Sequence, residues 1–227
     1  PGNLGIAAVN TLAVRLIPPA AAVNAAEMAA ERGWGLFNLI ALPFWTAIVL
    51  SVVLLDLVIY AQHVLFHTVP PLWRVHRMHH SDLDMDVSTG VRFHPIEIIL
   101  SAFLKVGAVM TLGAPVLAVV LFEVLLNAVT LFNHGNILMP AALDHVLRWV
   151  VVTPDMHRVH HSVLPRETNS NFGFNLPWWD RLFGTYGPQQ TDDHDRMTLG
   201  LPTFRAPSEH RLDHLLAQPF RGLIGPN

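Results

Sequence analysis

The chain has 227 residues, of which 52% are hydrophobic and only 14% are charged. Soluble domains carry about 25% charged residues, so this composition indicates a protein with much of its surface in a membrane. The formal net charge of −3 argues against a nucleic-acid partner. The sequence contains no cysteine, which excludes disulfides, iron–sulfur clusters and thiolate metal sites.

Long apolar stretches predict the membrane-spanning helices. About 20 apolar residues cross a bilayer, and residues 36–62 are the clearest candidate. Residues 96–133 are long enough for two passes. The sequence "LGAP" at 112–115 predicts a turn between them, so we expect a helical hairpin there.

Residues 4–30 form a weaker apolar segment. They contain Arg15 and the proline pair 18–19, which favours a kinked span or a helix lying in the membrane interface. The sequence therefore predicts an all-α fold, an integral-membrane helical bundle of about four spans or half-spans. We interpret residues 1–227 as one domain with its core in residues 36–186.

The polar segments between the spans contain most of the histidines. Segments 63–95 and 134–190 each carry several arginines, whereas the turn at 112–115 carries none. Because basic residues beside spans favour the cytoplasmic side, both segments are predicted to form one histidine-rich cap on that side. The sequence thus indicates a multi-pass membrane protein with its site on the cytoplasmic face.

Three short histidine motifs lie in this cap. "HVLFH" at 63–67 places two histidines four residues apart, while "HRMHH" at 76–80 and "HRVHH" at 157–161 repeat one spacing. Such spacings place side chains on one side of a helix, and imidazole is a ligand for zinc, copper, iron and nickel. The predicted ligands, enough for two metal ions, are His63, His67, His76, His79, His80, His157, His160 and His161.

Helical periodicity adds supporting candidates. Asp56 shares a helical stripe with the "HVLFH" histidines, and Glu123 and Asn127 share one with His134. Acidic residues in membrane helices usually face a partner inside the bundle, and a carboxylate behind a ligating imidazole fixes its tautomer. We predict His134 as a ninth ligand, and Asp56, Glu123 and Asn127 either as supports for ligands or as polar groups that hold the bundle together.

Several single residues beside the motifs have two interpretations each. Asp155 either orients a ligand or stabilises a helix N-terminus, and His94 is either part of the site or its neighbour. Lys105 is expected to extend toward the interface or to lie near the turn. Asp180 and Arg181, in the Trp-rich segment "PWWDRLFGTY", are expected to form a local ion pair. The histidines expected to be structural are His145, His194, His210 and His214.

The order and spacing of these motifs resemble the fatty acid hydroxylase/sterol desaturase superfamily of integral-membrane, non-haem di-iron enzymes. The likeness runs from about residue 36 to 186 and includes "LWRVHRMHHS", "RFHPIE", "LFNHGNI", "TPDMHRVHHS", "NSNFG" and "WWDRLFGTY". It implies two iron ions (Fe2+/Fe3+), O2 as co-substrate and hydroxylation or desaturation of a lipid of sterol or fatty acyl type. The eight motif histidines match the ligand motifs of the superfamily, and His134 matches the histidine that precedes the third motif.

Three alternatives remain open beside this interpretation. An ether-lipid (alkylglycerol-type) monooxygenase of the same superfamily would use a pterin as its electron source. A non-redox metal-binding membrane protein or carrier would place its histidines along a path through the bilayer, which one-sided motifs disfavour. A zinc hydrolase lacks an HExxH motif. Because neither a complete GxGxxG motif nor a P-loop occurs, an oxygenase is expected to need an external electron donor, a separate electron-transfer protein or reductase.

Overall fold

The computed structural model describes residues 2–14, 21–187 and 196–222. Its secondary structure is helical, with one isolated β-bridge in the described part of the chain. The all-α prediction is confirmed. The helices are α1 (Gly2–Val14), α2 (Ala21–Arg32), α3 (Leu36–Leu39), α4 (Phe44–Thr68), α5 (Pro70–His80), α6 (Pro95–Leu112), α7 (Val116–Asn133), α8 (Ala141–Leu147), α9 (Pro154–His160), α10 (Pro165–Thr168), α11 (Trp178–Phe183) and α12 (Leu212–Ala217).

Three of these helices are long and apolar enough to cross a membrane. Helices α4, α6 and α7 have windows of mean hydropathy 2.2, 1.7 and 2.1. Helix α4 begins after Pro43 and continues to Thr68, so it starts later and ends later than the apolar stretch 36–62. The extension carries the "HVLFH" motif out of the span as continuous helix.

Helices α6 and α7 form the expected hairpin. Gly113 ends α6 in the left-handed region (φ 65°), and Pro115 precedes the first residue of α7. Lys105 does not lie at this turn, because α6 continues beyond it to Leu112. Its Nζ donates to Glu123 Oε1 at 2.7 Å across the hairpin, and its extension toward the interface stays a prediction.

The two N-terminal helices pack along the hairpin at different heights. Asn3 in α1 donates to Asp82 in the cap. Trp34, just beyond α2, lies beside the Gly113 turn, and its carbonyl accepts from Asn38 in α3. Helix α2 contributes Ala25 and Ala26 to the main core cluster, where small side chains permit close helix packing. Arg15 and the prolines 18–19 lie outside the described residues, so the kinked span stays a prediction.

The cap is held to the bundle by a buried arginine. Arg92 is 1% exposed, and its guanidinium donates to Met78 O, Asn3 Oδ1 and Ser81 Oγ at 2.8–2.9 Å. Asp82 lies 3.5 Å away and neutralises it. These bonds join α1, the end of α5 and the segment before α6, so that the histidine motifs share one rigid end of the bundle.

The contact between Gly35 and the hairpin turn gives a test of this packing. Gly35 has φ 91°, and a Cβ there would overlap the backbone of Gly113. Gly33 has a similar left-handed backbone (φ 65°) but open space around it. We expect Gly33→Ala to lower the free energy of unfolding by about 1 kcal/mol, the ordinary cost of a left-handed alanine.

Gly35→Ala should lower it by at least about 2 kcal/mol, because steric overlap adds to the backbone cost. Unfolding with a denaturing detergent in mixed micelles measures both variants. Equal losses for the two variants would show that the 33–38 segment does not pack on the turn as described.

Candidate metal centre

All nine predicted ligands lie at the cap end of the bundle. Each is at most 3% exposed. The last turns of α4 carry two of them, α5 carries three, the residue after α7 carries one, and α9 with its C-cap carries three. Their ligand atoms form two groups, within each of which all atoms lie within 4.8 Å of one another. The groups are His63, His67, His76, His80 and His160, and His79, His134, His157 and His161.

The two repeated motifs divide between the groups in opposite ways. In "HRMHH" the i and i+4 histidines join the first group and the i+3 histidine joins the second. In "HRVHH" the i+3 histidine joins the first group and the i and i+4 histidines join the second. Each motif therefore contributes to both groups, which must lie side by side.

Four of the rings have a fixed tautomer. A carbonyl or an ionised carboxylate can only accept, so an Nδ1 bonded to one must carry the proton and leave Nε2 bare. Such bonds run from His63 to Phe172 O (2.8 Å), from His76 to Glu97 Oε1 (2.7 Å), from His160 to Ser170 O (2.7 Å) and from His134 to Thr130 O (2.7 Å).

The bare nitrogens face one another. His63 Nε2 lies 3.2 Å from His76 Nε2 and 3.0 Å from His160 Nε2. Lone pairs at this distance repel unless a cation lies between them. Two nitrogens bound at right angles to one ion, each about 2.1 Å from it, would be about 3.0 Å apart. The donor set therefore fits a metal ion.

Burial holds six of the predicted ligands in the form that binds metals. Loss of solvent disfavours the charged ring, and neighbouring imidazoles add repulsion, so the pKa of each of these six falls. The pKa of His134 falls to about 4. A neutral imidazole is the ligand form. The pKa is held well below its usual range at His79, His80, His157, His160 and His161.

Asp56 supports the centre through a loop rather than through a ligand. Its carboxylate accepts from the backbone N–H groups of Asn175 and Leu176 at 3.2–3.3 Å and from Trp179 Nε1 at 2.8 Å. These bonds fix the loop that supplies the Phe172 carbonyl to the first group. Of the two interpretations of Asp56, the structure supports the polar group that holds elements together.

Asp180 fixes the same loop from its other side. It accepts from the N–H groups of Phe172 and Gly173 at 2.8 and 2.7 Å. Burial raises its pKa to about 6, against the opposing effect of these hydrogen bonds. The expected ion pair between Asp180 and Arg181 is not the main interaction of either residue. The Arg181 guanidinium instead lies over the Trp149 ring, 3.9 Å from its centroid.

Glu123, Asn127 and His94 bond partners other than the predicted ligands. Glu123 pairs with Lys105, and Asn127 Nδ2 donates to the Glu123 carbonyl at 2.7 Å. His94 belongs to neither group: it caps α6, where its Nδ1 accepts from Ile96 N–H, and its Nε2 faces a carbonyl of α12. Asp155 lies in the first turn of α9, and its role in orienting a ligand stays a prediction.

Glu97 is the supporting residue that sequence reasoning missed. It is 4% exposed and bonds His76 Nδ1. The segment "RFHPIE" contributed to the prediction only through the family resemblance, which gave Glu97 no role. The sequence signal that could have identified Glu97 is an acidic residue in the first turn of α6, beside a histidine-rich segment. A carboxylate is favoured at a helix N-terminus in any case.

A cavity of about 510 Å³ extends from the first histidine group into the bundle. It lies between α1, α4, α6 and α7, and His63, His76 and Glu97 line it. Phe66, Phe93 and Phe174 form apolar parts of its wall, and Glu123 and Asn127 also line it. The cavity therefore reaches the first histidine group from among the candidate spans.

Comparison with known proteins places these features in a family. The fatty acid hydroxylase family model matches residues 48–185. An ornithine lipid hydroxylase from Rhizobium tropici is 33% identical over 154 residues, which cover 66% of this chain and 46% of that protein. The alkylglycerol monooxygenase of Xenopus tropicalis is 29% identical over 191 residues, and the human one 26% over 194, covering 80% and 81% of this chain. The chain spans less than half the length of these relatives. No solved structure matches.

The bond from Glu97 to His76 gives a test that uses metal content. Glu97→Gln removes the charged acceptor that fixes the His76 tautomer, and loss of such a partner lowers metal affinity about 10–100-fold. We expect a matching loss of iron affinity, measured by competition with a chelator.

His94→Asn is the matched control. Asparagine keeps the ability to cap α6, and His94 bonds no predicted ligand. The variant should keep the iron stoichiometry of the parent protein. A loss of one iron in His94→Asn, or full affinity in Glu97→Gln, would contradict the arrangement described above.

Proposed function

Because the chain belongs to the fatty acid hydroxylase family, we propose that it is a membrane-bound, O2-dependent, non-haem di-iron oxygenase that hydroxylates a lipid. The observation that carries the proposal is the convergence of nine buried histidines in two adjacent groups. We assign one iron to the five-histidine group and one to the four-histidine group. A group of five exceeds the four ligands of an ordinary zinc site.

The reaction that this assignment implies consumes two electrons from an external donor. Iron in these groups supplies the redox chemistry: RH, O2, two electrons and two protons give ROH and water. The chain's own residues hold the imidazoles through Glu97 and the carbonyls of Thr130, Ser170 and Phe172. Burial keeps bulk water away from the centre, and the chain contains no thiol for an oxidant to attack.

Hydroxylation is favoured over desaturation by the relatives. Their names describe a lipid hydroxylase and a monooxygenase. For the substrate we propose a lipid of sterol or fatty acyl type. We propose that a separate electron-transfer protein or reductase supplies the electrons and that the cap faces the cytoplasm. The arginines of both cap segments support that orientation.

Ether-lipid oxidation is the second candidate. The alkylglycerol monooxygenases align with about four-fifths of this chain, more than the ornithine lipid hydroxylase does. In that reaction the hydroxylated carbon bears the ether oxygen, so the product breaks down to an aldehyde and an alcohol. A metal carrier is disfavoured, because both histidine groups lie together at one end of the bundle rather than along a path.

Metal content tests the proposal most directly. We expect about two irons per chain in the purified protein, antiferromagnetically coupled when oxidised, as seen in Mössbauer spectra after growth with iron-57. His79→Ala removes a ligand of the four-histidine group and His160→Ala removes one of the five-histidine group. Each should abolish the coupled spectrum and lower turnover by at least about a thousandfold.

His145→Ala is the control, because His145 is exposed and outside both groups. It should keep iron and activity. Incubation with 18O2, a reductase and a membrane lipid extract then separates the two candidates, since a labelled hydroxy-lipid indicates hydroxylation and a fatty aldehyde indicates ether cleavage. A coupled iron pair that persists in both ligand variants would refute the assignment.

A further inference from the structure

The cavity beside the first histidine group contains polar side chains at membrane depth. Gln62 Nε2 donates to Ser101 Oγ at 2.7 Å, and Lys105 pairs with Glu123 at 2.7 Å. All four lie in the candidate spans and line the cavity. Lys105 lies ten residues from Pro95, the cap end of α6, so the ion pair is about 15 Å below the cap. A hydrocarbon chain needs no such groups, and burying them is costly.

Three residues that line the cavity also have an oxygen without a hydrogen-bond partner. These oxygens are Asn10 Oδ1, Gln62 Oε1 and Glu97 Oε2. Asn10 and Glu97 are 9% and 4% exposed. The other polar atom of each side chain is occupied: Asn10 Nδ2 donates to Phe93 O at 2.7 Å, and Glu97 Oε1 accepts from a ligand histidine. All three oxygens are acceptors, so a ligand that satisfies them must carry donors, such as hydroxyl, amide or ammonium groups.

The charges in the cavity constrain that partner further. Lys105 and Glu123 neutralise each other, and their side chains remain 20% and 31% exposed, so part of each is free to contact a ligand. A head group with one net charge would leave a charge uncompensated beside this ion pair, where water is scarce, which is unfavourable. Glu97, the other carboxylate that lines the cavity, is already bonded to His76. A head group of zero net charge, uncharged or zwitterionic, avoids this cost.

We propose that the cavity binds the polar head of the lipid substrate, a head of zero net charge with hydrogen-bond donors, and that the Lys105–Glu123 and Gln62–Ser101 pairs form its subsite. The inference rests on the proposed function. His63 and His76 line the same cavity, so a lipid whose head binds in this subsite also passes beside the first histidine group. The four residues are positioning residues.

A purely structural role makes a different prediction. Gln62–Ser101 joins α4 to α6, and Lys105–Glu123 joins α6 to α7. If these pairs only held the helices together, replacing them would change stability without changing the preference for one lipid head over another. Head-group preference is therefore the quantity to measure.

The experiment compares two probes with the same acyl chain. One is 1-dodecanoylglycerol, which has two hydroxyl donors and no net charge, and the other is methyl dodecanoate, which has no donor. Binding of each labelled probe is measured on the full chain, loaded with iron, in nanodiscs and without O2 or reductant, so that no turnover occurs. Affinity is expressed against the mole fraction of probe in the nanodisc lipid, which removes differences in partitioning.

We expect the parent protein to bind 1-dodecanoylglycerol about tenfold more tightly than methyl dodecanoate, the effect of about one well-formed hydrogen bond. The double variant Lys105→Met, Glu123→Leu should lose this preference while binding methyl dodecanoate as before. It should fold, because both positions lie in candidate membrane spans, where apolar side chains are favourable. Gln62→Leu should reduce the preference independently.

Thr111→Val is the control, since Thr111 is an exposed residue of α6 that does not line the cavity. It should keep the parent's preference. Equal binding of the two probes by the parent protein, or an unchanged preference in both the double variant and Gln62→Leu, would overturn the inference. Iron content measured in the same samples keeps the two proposals separate, because a protein that binds no iron refutes the oxygenase while the probe comparison still decides the subsite.

Discussion

The structure depends on nine imidazoles that are buried together. In the first group the bare nitrogen of His63 lies 3.0–3.2 Å from those of His76 and His160, where lone pairs repel, so the arrangement persists only if other groups hold the rings and a cation satisfies the lone pairs. The protein supplies the first requirement through acceptors at the outer nitrogen of four rings. Three of those acceptors are backbone carbonyls and the fourth is Glu97.

The need to hold the rings in place explains the hydrogen bonds made by one loop of the cap. The segment from Ser170 to Leu176 supplies two of the carbonyls, and it has no regular structure to hold them. Asp56 and Asp180 bond its backbone from opposite sides. The two buried carboxylates thus affect the histidines indirectly. They fix the loop backbone, and the carbonyls of that backbone orient the imidazole rings.

Helical spacing predicted the histidines well and their supports poorly. Spacings of three and four residues place side chains on one face whatever the tertiary structure, and all nine predicted histidines, including His134, lie in the two groups. Asp56 was correctly placed on the buried face of α4, but its partners come from a loop about 120 residues away, which a one-helix pattern does not identify. Glu97 was missed because its partner, His76, lies on another helix. The fold class and the hairpin turn followed directly from hydropathy and the Gly-Ala-Pro sequence, whereas the Lys105–Glu123 pairing required the register between two helices.

The same residues connect the histidine centre to the cavity. Glu97 bonds His76 with one oxygen and lines the cavity, where its other oxygen has no partner. His63 and His76 form part of the same wall. A molecule that occupies the cavity is therefore positioned by groups that also fix the rings, and the distance between its polar head and the histidines is set by α4 and α6. Helix α4 carries Gln62 beside two predicted ligands, and α6 carries Ser101 and Lys105 on the same helix as Glu97. Under the two proposals above, the lipid head and the histidine centre are therefore positioned by the same two continuous helices.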